Sequence, residues 1–237
     1  MSITTILFDL DGTLLPMAQD TFAKAYVKGL TLAAEPAGYS PMIFSTAIMA
    51  GTAAMVKNDG KKTNEEVFWD TLERTYGESV KNYIHLFDEF YATDFQKIKD
   101  VCGFDPKAAK LIRHIKEKGF RVVLATNPLF PSVATESRIR WAGLDREDFE
   151  LYTTYETSRY CKPNLDYYRE VLRRLGISTE ECLMVGNDVA EDMIAEQLGM
   201  KVFLLTDCLI NKNNADISRY PHGSFDELFD FIHVLER

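Results

Sequence analysis

ITTILFDLDGT, the sequence of residues 3–13, joins a buried strand to a pair of acids. From Ile3 to Phe8 every residue is apolar or β-branched, which is typical of a strand covered on both faces. Asp9 and Asp11 follow directly, two residues apart, so in an extended chain both carboxylates face the same ligand. Because open α/β sheets bind ligands at the carboxyl ends of their strands, this stretch predicts a binding site there.

Further short apolar runs follow along the chain, and helical patterns separate them. Asp105 and Pro106 are the expected N-cap and first residue of one helix, which stops at Gly119. A second helical pattern covers 168–175 and ends at Gly176. Strands that alternate with helices predict an α/β fold built on a doubly wound (Rossmann-like) parallel sheet. The expected strands after the first lie at residues 121–125, 150–154, 182–185 and 201–205.

The segment from residue 17 to residue 101 breaks this alternation, because it carries helical patterns and no convincing strand. Thr63 and Glu66 have the spacing of a capping box, and apolar and aromatic residues continue from there at helical intervals. We expect an all-helical cap domain at 17–101, inserted into a core domain formed by 1–16 and 102–237. The aromatic stripe of this segment is interpreted as core packing, with contact to a substrate as the alternative.

The composition is that of a globular protein, since 46% of the 237 residues are hydrophobic and 27% are charged. Lysine and arginine number 27 against 36 aspartate and glutamate, and the net charge of −9 argues against binding to a nucleic acid. The longest apolar stretch, 41–56, is too short to cross a membrane, and the N-terminal run lacks the features of a signal peptide. The cysteines form no C-x-x-C pair and predict buried, reduced thiols in a cytoplasmic protein: Cys102, Cys161, Cys182 and Cys208.

Polar residues follow three more predicted strand or loop ends. Thr126 and Asn127 come after the second strand and offer a hydroxyl and an amide to an anionic oxygen. Lys162 stands before a proline at the start of a predicted helix. The next strand leads into Gly-Asn-Asp at 186–188, and Asp192 lies four residues beyond that aspartate, on the same face of an expected helix.

Each of these features has a structural alternative when it is taken singly, namely a turn, a cap or a surface charge. A D-x-D pair alone also fits a sugar-nucleotide metal site, whereas a calcium loop is excluded because Leu14 stands where that loop requires glycine. If the strands are neighbours in the sheet, however, a hydroxyl, a basic residue and two acidic pairs converge on one crevice.

This ordered set resembles the motifs of the haloacid dehalogenase (HAD) superfamily, whose members include phosphatases, phosphomutases and dehalogenases. The resemblance covers the whole chain, and the long helical segment looks like the helical cap of the family. The matching motifs are D-x-D-G-T at 9–13, Thr-Asn at 126–127, Lys-Pro at 162–163 and the acidic stretch at 186–192.

The resemblance implies phosphoryl-transfer chemistry for the first motif. Asp9 is expected to be the nucleophile, which forms an aspartyl-phosphate intermediate. Asp11 is expected to protonate the leaving oxygen and then to deprotonate the attacking water, a general acid/base role that benefits from a raised pKa.

The resemblance also implies a Mg²⁺ site, because hard oxygen ligands, waters and a substrate oxygen are what this ion requires. Asp9 and Asp188 are the expected side-chain ligands, with the backbone carbonyl of Asp11, and Asp192 is expected to orient metal-bound water. Asn187 departs from the common Gly-Asp pattern of the family and leaves the metal ligand open between Asn187 and Asp188.

The remaining motif residues are expected to bind the phosphoryl group. Thr126 and Asn127 would hold its oxygens, and Lys162 would offset the charge of both the nucleophile and the phosphate. The expected substrate is a small phosphorylated metabolite. The basic turn at 57–62 either reaches a second anionic group or is a solvated loop.

The sequence thus favours a Mg²⁺-dependent phosphatase, with three alternatives. Dehalogenases of the family lack the second aspartate, so Asp11 argues against dehalogenation. A phosphomutase uses the same four motifs and differs in how its cap excludes water. A catalytically silent regulatory module has no physical need for clustered like charges. The oligomeric state stays open.

Overall fold

A computed structural model describes residues 2–38, 40–77, 80 and 84–235 of the protein. Its central element is a parallel sheet of six strands. These are β1 (Thr5–Phe8), β2 (Arg121–Leu124), β3 (Leu151–Tyr152), β4 (Cys182–Gly186), β5 (Lys201–Leu205) and β6 (His222–Gly223). They lie side by side in the order β3-β2-β1-β4-β5-β6.

The strand β1 lies at the point where the strand order changes direction, with β2 on one side and β4 on the other. Phe8 is paired with Leu124 of β2 and with Val185 of β4, so the three strands end at the same level. Asp9, the residues after β2 and the Gly-Asn-Asp stretch therefore emerge at one edge of the sheet. This is the crevice where doubly wound sheets bind ligands.

Helices cover both faces of the sheet, because successive strand residues point to opposite sides. Ile6 and Phe8 belong to one apolar cluster together with the inner faces of α6 and α9, and Leu7 belongs to a second cluster with α8. The three helices are α6 (Lys107–Glu117), α8 (Leu165–Leu175) and α9 (Phe225–His233). The predicted α/β fold with a doubly wound parallel sheet is confirmed.

Four α-helices longer than one turn and one α-helix of a single turn lie in the described part of residues 17–101, and this part adds no strand to the sheet. The predicted capping box of Thr63 and Glu66 is present. The predicted cap boundaries stay a prediction, and positions 39, 78–79 and 81–83 of this segment lie outside the described residues. The helices are α1 (Gln19–Ala34), α2 (Pro41–Val56), α3 (Asn64–Tyr76), α4 (Ile84–Ala92) and α5 (Asp94–Lys97).

Several local predictions were wrong in detail. The helix α6 begins at Lys107, one residue later than predicted, although the Asp105 carboxylate accepts a hydrogen bond from the backbone N–H of Lys107, as an N-cap side chain does. The predicted strand at 150–154 shrinks to two residues. β6 and the helix α7 (Ser132–Trp141) were not predicted, since β6 is only two residues long and α7 turns polar residues inward.

All four cysteines are free thiols, as predicted. Cys161 and Cys182 are buried, whereas Cys102 and Cys208 are partly exposed, which differs from the expectation that all four are buried. No helix within the described ranges has both the length and the apolar character that a membrane crossing requires.

Candidate active site

A buried lysine lies between two carboxylates at the carboxyl end of β1. The ammonium of Lys162 donates to Asp9 Oδ1 at 2.9 Å and to Asp192 Oδ1 at 2.6 Å, and its side chain is fully buried. Burial alone would lower the pKa of Lys162, but Asp192 and Asp9 outweigh this effect and hold that pKa well above its usual range. A permanent positive charge therefore lies against the candidate nucleophile.

Asp192 is held by the protein at both of its carboxylate oxygens. Oδ1 binds Lys162, and Oδ2 accepts from the backbone N–H of Asp188 at 3.0 Å. A Cβ at Gly186 would overlap Asp192 Oδ2, so the glycine of the Gly-Asn-Asp stretch makes room for this contact. Asp192 is the last residue of a turn and precedes a 3₁₀ helix, Met193–Leu198, rather than lying on the expected α-helix. Its predicted contact with metal-bound water stays a prediction.

Asn187 and Asp188 point in different directions. The amide of Asn187 is buried, accepts from Thr13 Oγ1 at 3.1 Å and donates to the carbonyl of Cys208 at 2.7 Å. Asp188 is partly exposed, and its Oδ1 caps two backbone N–H groups of the following turn. Asp188 Oδ2 accepts no hydrogen bond from the described part of the chain, so this atom is open to a cation.

Thr126 and Asn127 lie beside this group of charges. The carbonyl of the buried Thr126 accepts from Thr153 Oγ1 at 2.6 Å and from Tyr167 OH at 2.9 Å, which fixes the backbone after β2. Asn127 accepts from the backbone N–H of Lys162 at 3.2 Å and donates to Glu191 Oε2 at 2.9 Å. Asn127 thus ties together the loops that carry the second, third and fourth motifs.

Asp11 is held by a residue that the sequence did not point to. The fully buried guanidinium of Arg138, on α7, forms an ion pair with Asp11 Oδ2. Asp11 Oδ1 is buried and has no hydrogen-bond partner among the described residues. Burial raises the pKa of Asp11 to about 6, although Arg138 lowers it and Asp9 adds to the increase. One carboxyl oxygen is therefore oriented and the other is available to a ligand.

The environment of Arg138 shows why it stays buried. Its guanidinium lies 4.4 Å from the centre of the Phe130 ring, in a cation–π contact, and its Nε donates to the carbonyl of Ala134 at 3.4 Å. The signal in the sequence is an arginine four residues after Ala134, on the helix face that also carries Trp141. A charged residue on a buried face requires a partner of opposite charge.

We expect Arg138→Met to slow the hydrolysis of an alkyl phosphate about tenfold more than that of an aryl phosphate. Under the acid/base role predicted for Asp11, loss of the guanidinium removes the group that orients its carboxyl, and an alkyl leaving group needs a proton more than a phenolate does. Measuring kcat/KM on both esters checks this. A fall of the same size on both esters, with Asp11→Asn showing a larger fall on the alkyl ester, would assign Arg138 to fold stability alone.

The donor atoms at this edge suit a Mg²⁺ ion. No three His, Cys, Asp or Glu side chains are grouped as a metal site within the ranges that the structure describes. Mg²⁺ does not need such a cage, because it binds one or two carboxylates and keeps several of its waters. The carboxylates of Asp9 and Asp188, together with the backbone carbonyl of Asp11, provide a donor set of this kind.

Known proteins with similar sequences include a pyrophosphatase and a phosphatase. Pyrophosphatase PpaX of Bacillus cereus is 22% identical over 236 residues, which cover 99% of this chain and 97% of that protein. The sesquiterpene phosphatase astK of Aspergillus oryzae is 26% identical over 71% of this chain and 87% of its own. By contrast, a match of 25% identity to the Arabidopsis thaliana protein SUPPRESSOR OF QUENCHING 1 spans 48% of this chain and only 11% of that protein.

Solved structures share the fold at low sequence identity. The HAD phosphatase from Thermococcus onnurineus has a TM-score of 0.58 at 16% identity, with both chains fully covered. The L-2-haloacid dehalogenase from Xanthobacter autotrophicus has a TM-score of 0.57 at 16% identity, over 99% of this chain and 100% of that one. The model of the haloacid dehalogenase-like hydrolase family matches residues 3–206. The chain is therefore a member of the haloacid dehalogenase-like hydrolases.

Proposed function

We propose that the protein is a Mg²⁺-dependent phosphatase that hydrolyses a small phosphorylated substrate through an aspartyl-phosphate on Asp9. The observation that carries this proposal is the environment of the two carboxyl oxygens of Asp11. Arg138 holds one of its carboxyl oxygens, and the other is buried without a partner, in a carboxyl group that lines the main cavity. This is the arrangement that a proton donor to a leaving oxygen needs.

The residues divide the reaction into two steps. Asp9 attacks phosphorus with Oδ2, whose contact from Thr13 Oγ1 is long at 3.4 Å, while Lys162 binds Oδ1. The bond from phosphorus to the leaving oxygen breaks, and Asp11 donates its proton to that oxygen. The Asp11 carboxylate then takes a proton from water, which attacks phosphorus and releases Asp9 and inorganic phosphate.

Charge neutralisation is the larger part of catalysis in such a reaction. Lys162 offsets the negative charge of Asp9 and of the phosphoryl group, and we assign Thr126 and Asn127 to its equatorial oxygens. Asp9, Asp188 and the carbonyl of Asp11 would hold Mg²⁺, which supplies further positive charge when it is bound. We assign Asp192 to the support of Lys162 and of the Asp188 loop.

Hydrolysis of an aryl phosphate tests the proposed function. We expect turnover with Mg²⁺ that is lost when a chelator is added and is restored by excess Mg²⁺, because phosphoryl transfer between anions requires the bound cation. A 2-haloacid serves as the comparison substrate, and we expect no halide release from it. Halide release without phosphate release would overturn the proposal in favour of dehalogenation.

Two variants at the fourth motif locate the metal ligand. We expect Asp188→Asn to raise the Mg²⁺ concentration for half-maximal rate by about tenfold or more, since second-sphere changes alone already cost that much. Asn187→Ser, the matched change at the neighbouring position, should change this concentration less. If Asp188→Asn keeps the parent Mg²⁺ dependence while Asn187→Ser loses it, Asn187 is the ligand.

A further inference from the structure

A large cavity lies between the helical segment and the carboxyl edge of the sheet. It has a volume of about 1600 Å³, well above the ~300–1,000 Å³ of most small-molecule sites. Asp11, Asn127 and Glu191 line one end, and helices α1 to α4 form most of its walls. The reactive end of the site thus opens into a space that a small, compact leaving group would leave mostly unfilled.

Exposed apolar side chains concentrate on the walls of this cavity. Met42 and Met49 of α2 are 76% and 65% exposed, and both line the cavity, as do Leu32 and Ile84 with 54% and 37% exposure. Exposure of apolar side chains to water is unfavourable, and covering them with an apolar ligand lowers the free energy. The exposed surface of these four side chains therefore faces the cavity and is available to an apolar ligand there.

The end of the cavity near Asp11 has an aromatic lining whose polar groups are already paired. Tyr26 and Tyr91 share a hydrogen bond of 2.8 Å between their hydroxyls, and the Tyr26 ring packs edge-on against Phe130 with 5.0 Å between ring centres. All three line the cavity. Because these rings are neutral and the two hydroxyls bond to each other, they present an uncharged surface to the atoms that follow the phosphate.

The charges around the cavity do not suit a second anionic group. Seven acidic side chains and three lysines line it. Lys62 is paired with Asp70 at 2.6 Å, and Lys24 and Lys28 are exposed on α1. Within the described ranges, the lining beyond the catalytic end includes no buried cation. Of the basic turn at 57–62, only Lys62 lines the cavity. Because acidic side chains outnumber lysines in the lining, we expect it to disfavour a leaving group with a carboxylate or a further phosphate.

We propose, on the basis of the phosphatase function above, that the substrate is a phosphate monoester of a long, uncharged, predominantly apolar alcohol. The alcohol lies along α1 and α2 while its phosphate reaches Asp9. Water supplies the oxygen and proton that balance cleavage of the bond between phosphorus and the ester oxygen. The products are the free alcohol, protonated by Asp11, and inorganic phosphate.

A series of alkyl phosphates tests this proposal. With Mg²⁺ present, we expect kcat/KM to rise about threefold per added methylene from ethyl to butyl, hexyl and octyl phosphate, because each buried methylene contributes to binding of the transition state. Phosphoglycolate and pyrophosphate, which carry a second anionic group, should be poor substrates. A flat series, or a preference for these anions, would overturn the proposal.

Variants of α2 locate the binding surface. The double variant Met42→Gln/Met49→Gln should lower kcat/KM for octyl phosphate about tenfold more than that for ethyl phosphate. Ile43→Gln is the matched control, because Ile43 is 49% exposed on the same helix but does not line the cavity. If the double variant and the control lower kcat/KM for octyl phosphate equally, the alcohol does not bind along α2 and the proposal is overturned.

Failure of the inference and failure of the phosphatase function give different results. If the protein hydrolyses small esters but shows no chain-length dependence, only the inference fails. If it hydrolyses no ester, calorimetric titration of Asp9→Asn with ethyl and octyl phosphate decides the ligand class separately. Octyl phosphate binding at least about a hundredfold tighter, with a negative heat-capacity change, would support the apolar site. Equal or absent binding would overturn it.

Discussion

Replacing Asp9 with asparagine is expected to lower kcat for phosphate-ester hydrolysis by a factor on the order of 10⁴ or more, the scale seen when a covalent nucleophile is removed. The amide is nearly isosteric with the carboxylate but is a poor nucleophile, and it cannot form a stable phosphoryl intermediate. Lys162 keeps its bond to Asp192, so the fold should persist. Steady-state rates and thermal unfolding of the two proteins check both statements.

Detection of the proposed aspartyl-phosphate on Asp9 is a sharper test than the rate. Acid quenching of the parent enzyme during turnover of a ³²P-labelled ester should leave label on the protein, and the Asp9→Asn protein should carry none. Asp20→Asn, a change of the same kind at an exposed position of α1, is the control and should retain both label and rate. Labelling of Asp9→Asn to the parent level would contradict the assignment of the nucleophile.

Replacing Lys162 with methionine is expected to reduce both stability and activity. Lys162 is fully buried between Asp9 and Asp192, and removal of one partner from a buried ion pair costs about 3–5 kcal/mol because it leaves uncompensated charge. Activity should fall about 10³-fold, since the phosphoryl group loses its buried cation. Urea unfolding followed by circular dichroism measures the first effect, and kcat measures the second.

A compensating variant separates the two effects. In Lys162→Met/Asp192→Asn the second change removes one of the two carboxylates, so we expect at least half of the lost unfolding free energy to return. The rate should stay low, because the ammonium that offsets the charge of Asp9 and of the phosphoryl group is still missing. Full recovery of the rate in the double variant would show that Lys162 acts on stability alone, and parent-like stability of Lys162→Met would contradict the energetic argument.

The parts of the site that follow buried strands were accessible from the sequence. Asp9 follows a continuous apolar run, and parallel strands bring their carboxyl ends to one edge, so the meeting of Asp9 with the Gly-Asn-Asp stretch could be expected. Among the predicted site residues, Lys162 was the hardest to place in the site from the sequence. It follows no strand, and only the resemblance of the ordered motifs pointed to it before the structure showed its bond to Asp9.

Arg138 could not be predicted in the same way, because its partner Asp11 is 127 positions away and no local pattern links them. The helix after Asp188 was predicted from spacing alone. The structure has a turn there, since the Asp188 carboxylate caps the next backbone N–H groups and its own N–H binds Asp192. Long-range polar pairs and short turns depend on contacts that periodicity does not encode.

The pairing of β1 with its two neighbours ties chemistry to a single alignment of the chain. Phe8 lies opposite Leu124 and Val185. Leu7 points to the other face of the sheet and packs towards α8, and Asp9, two residues further on, points to the same side as Leu7. A slip of one residue would exchange the faces of all the side chains of β1 and turn the carboxylate of Asp9 away from Lys162. Catalytic turnover therefore reports native strand alignment. A compact molecule with normal helix content but a misaligned β1 would show no turnover.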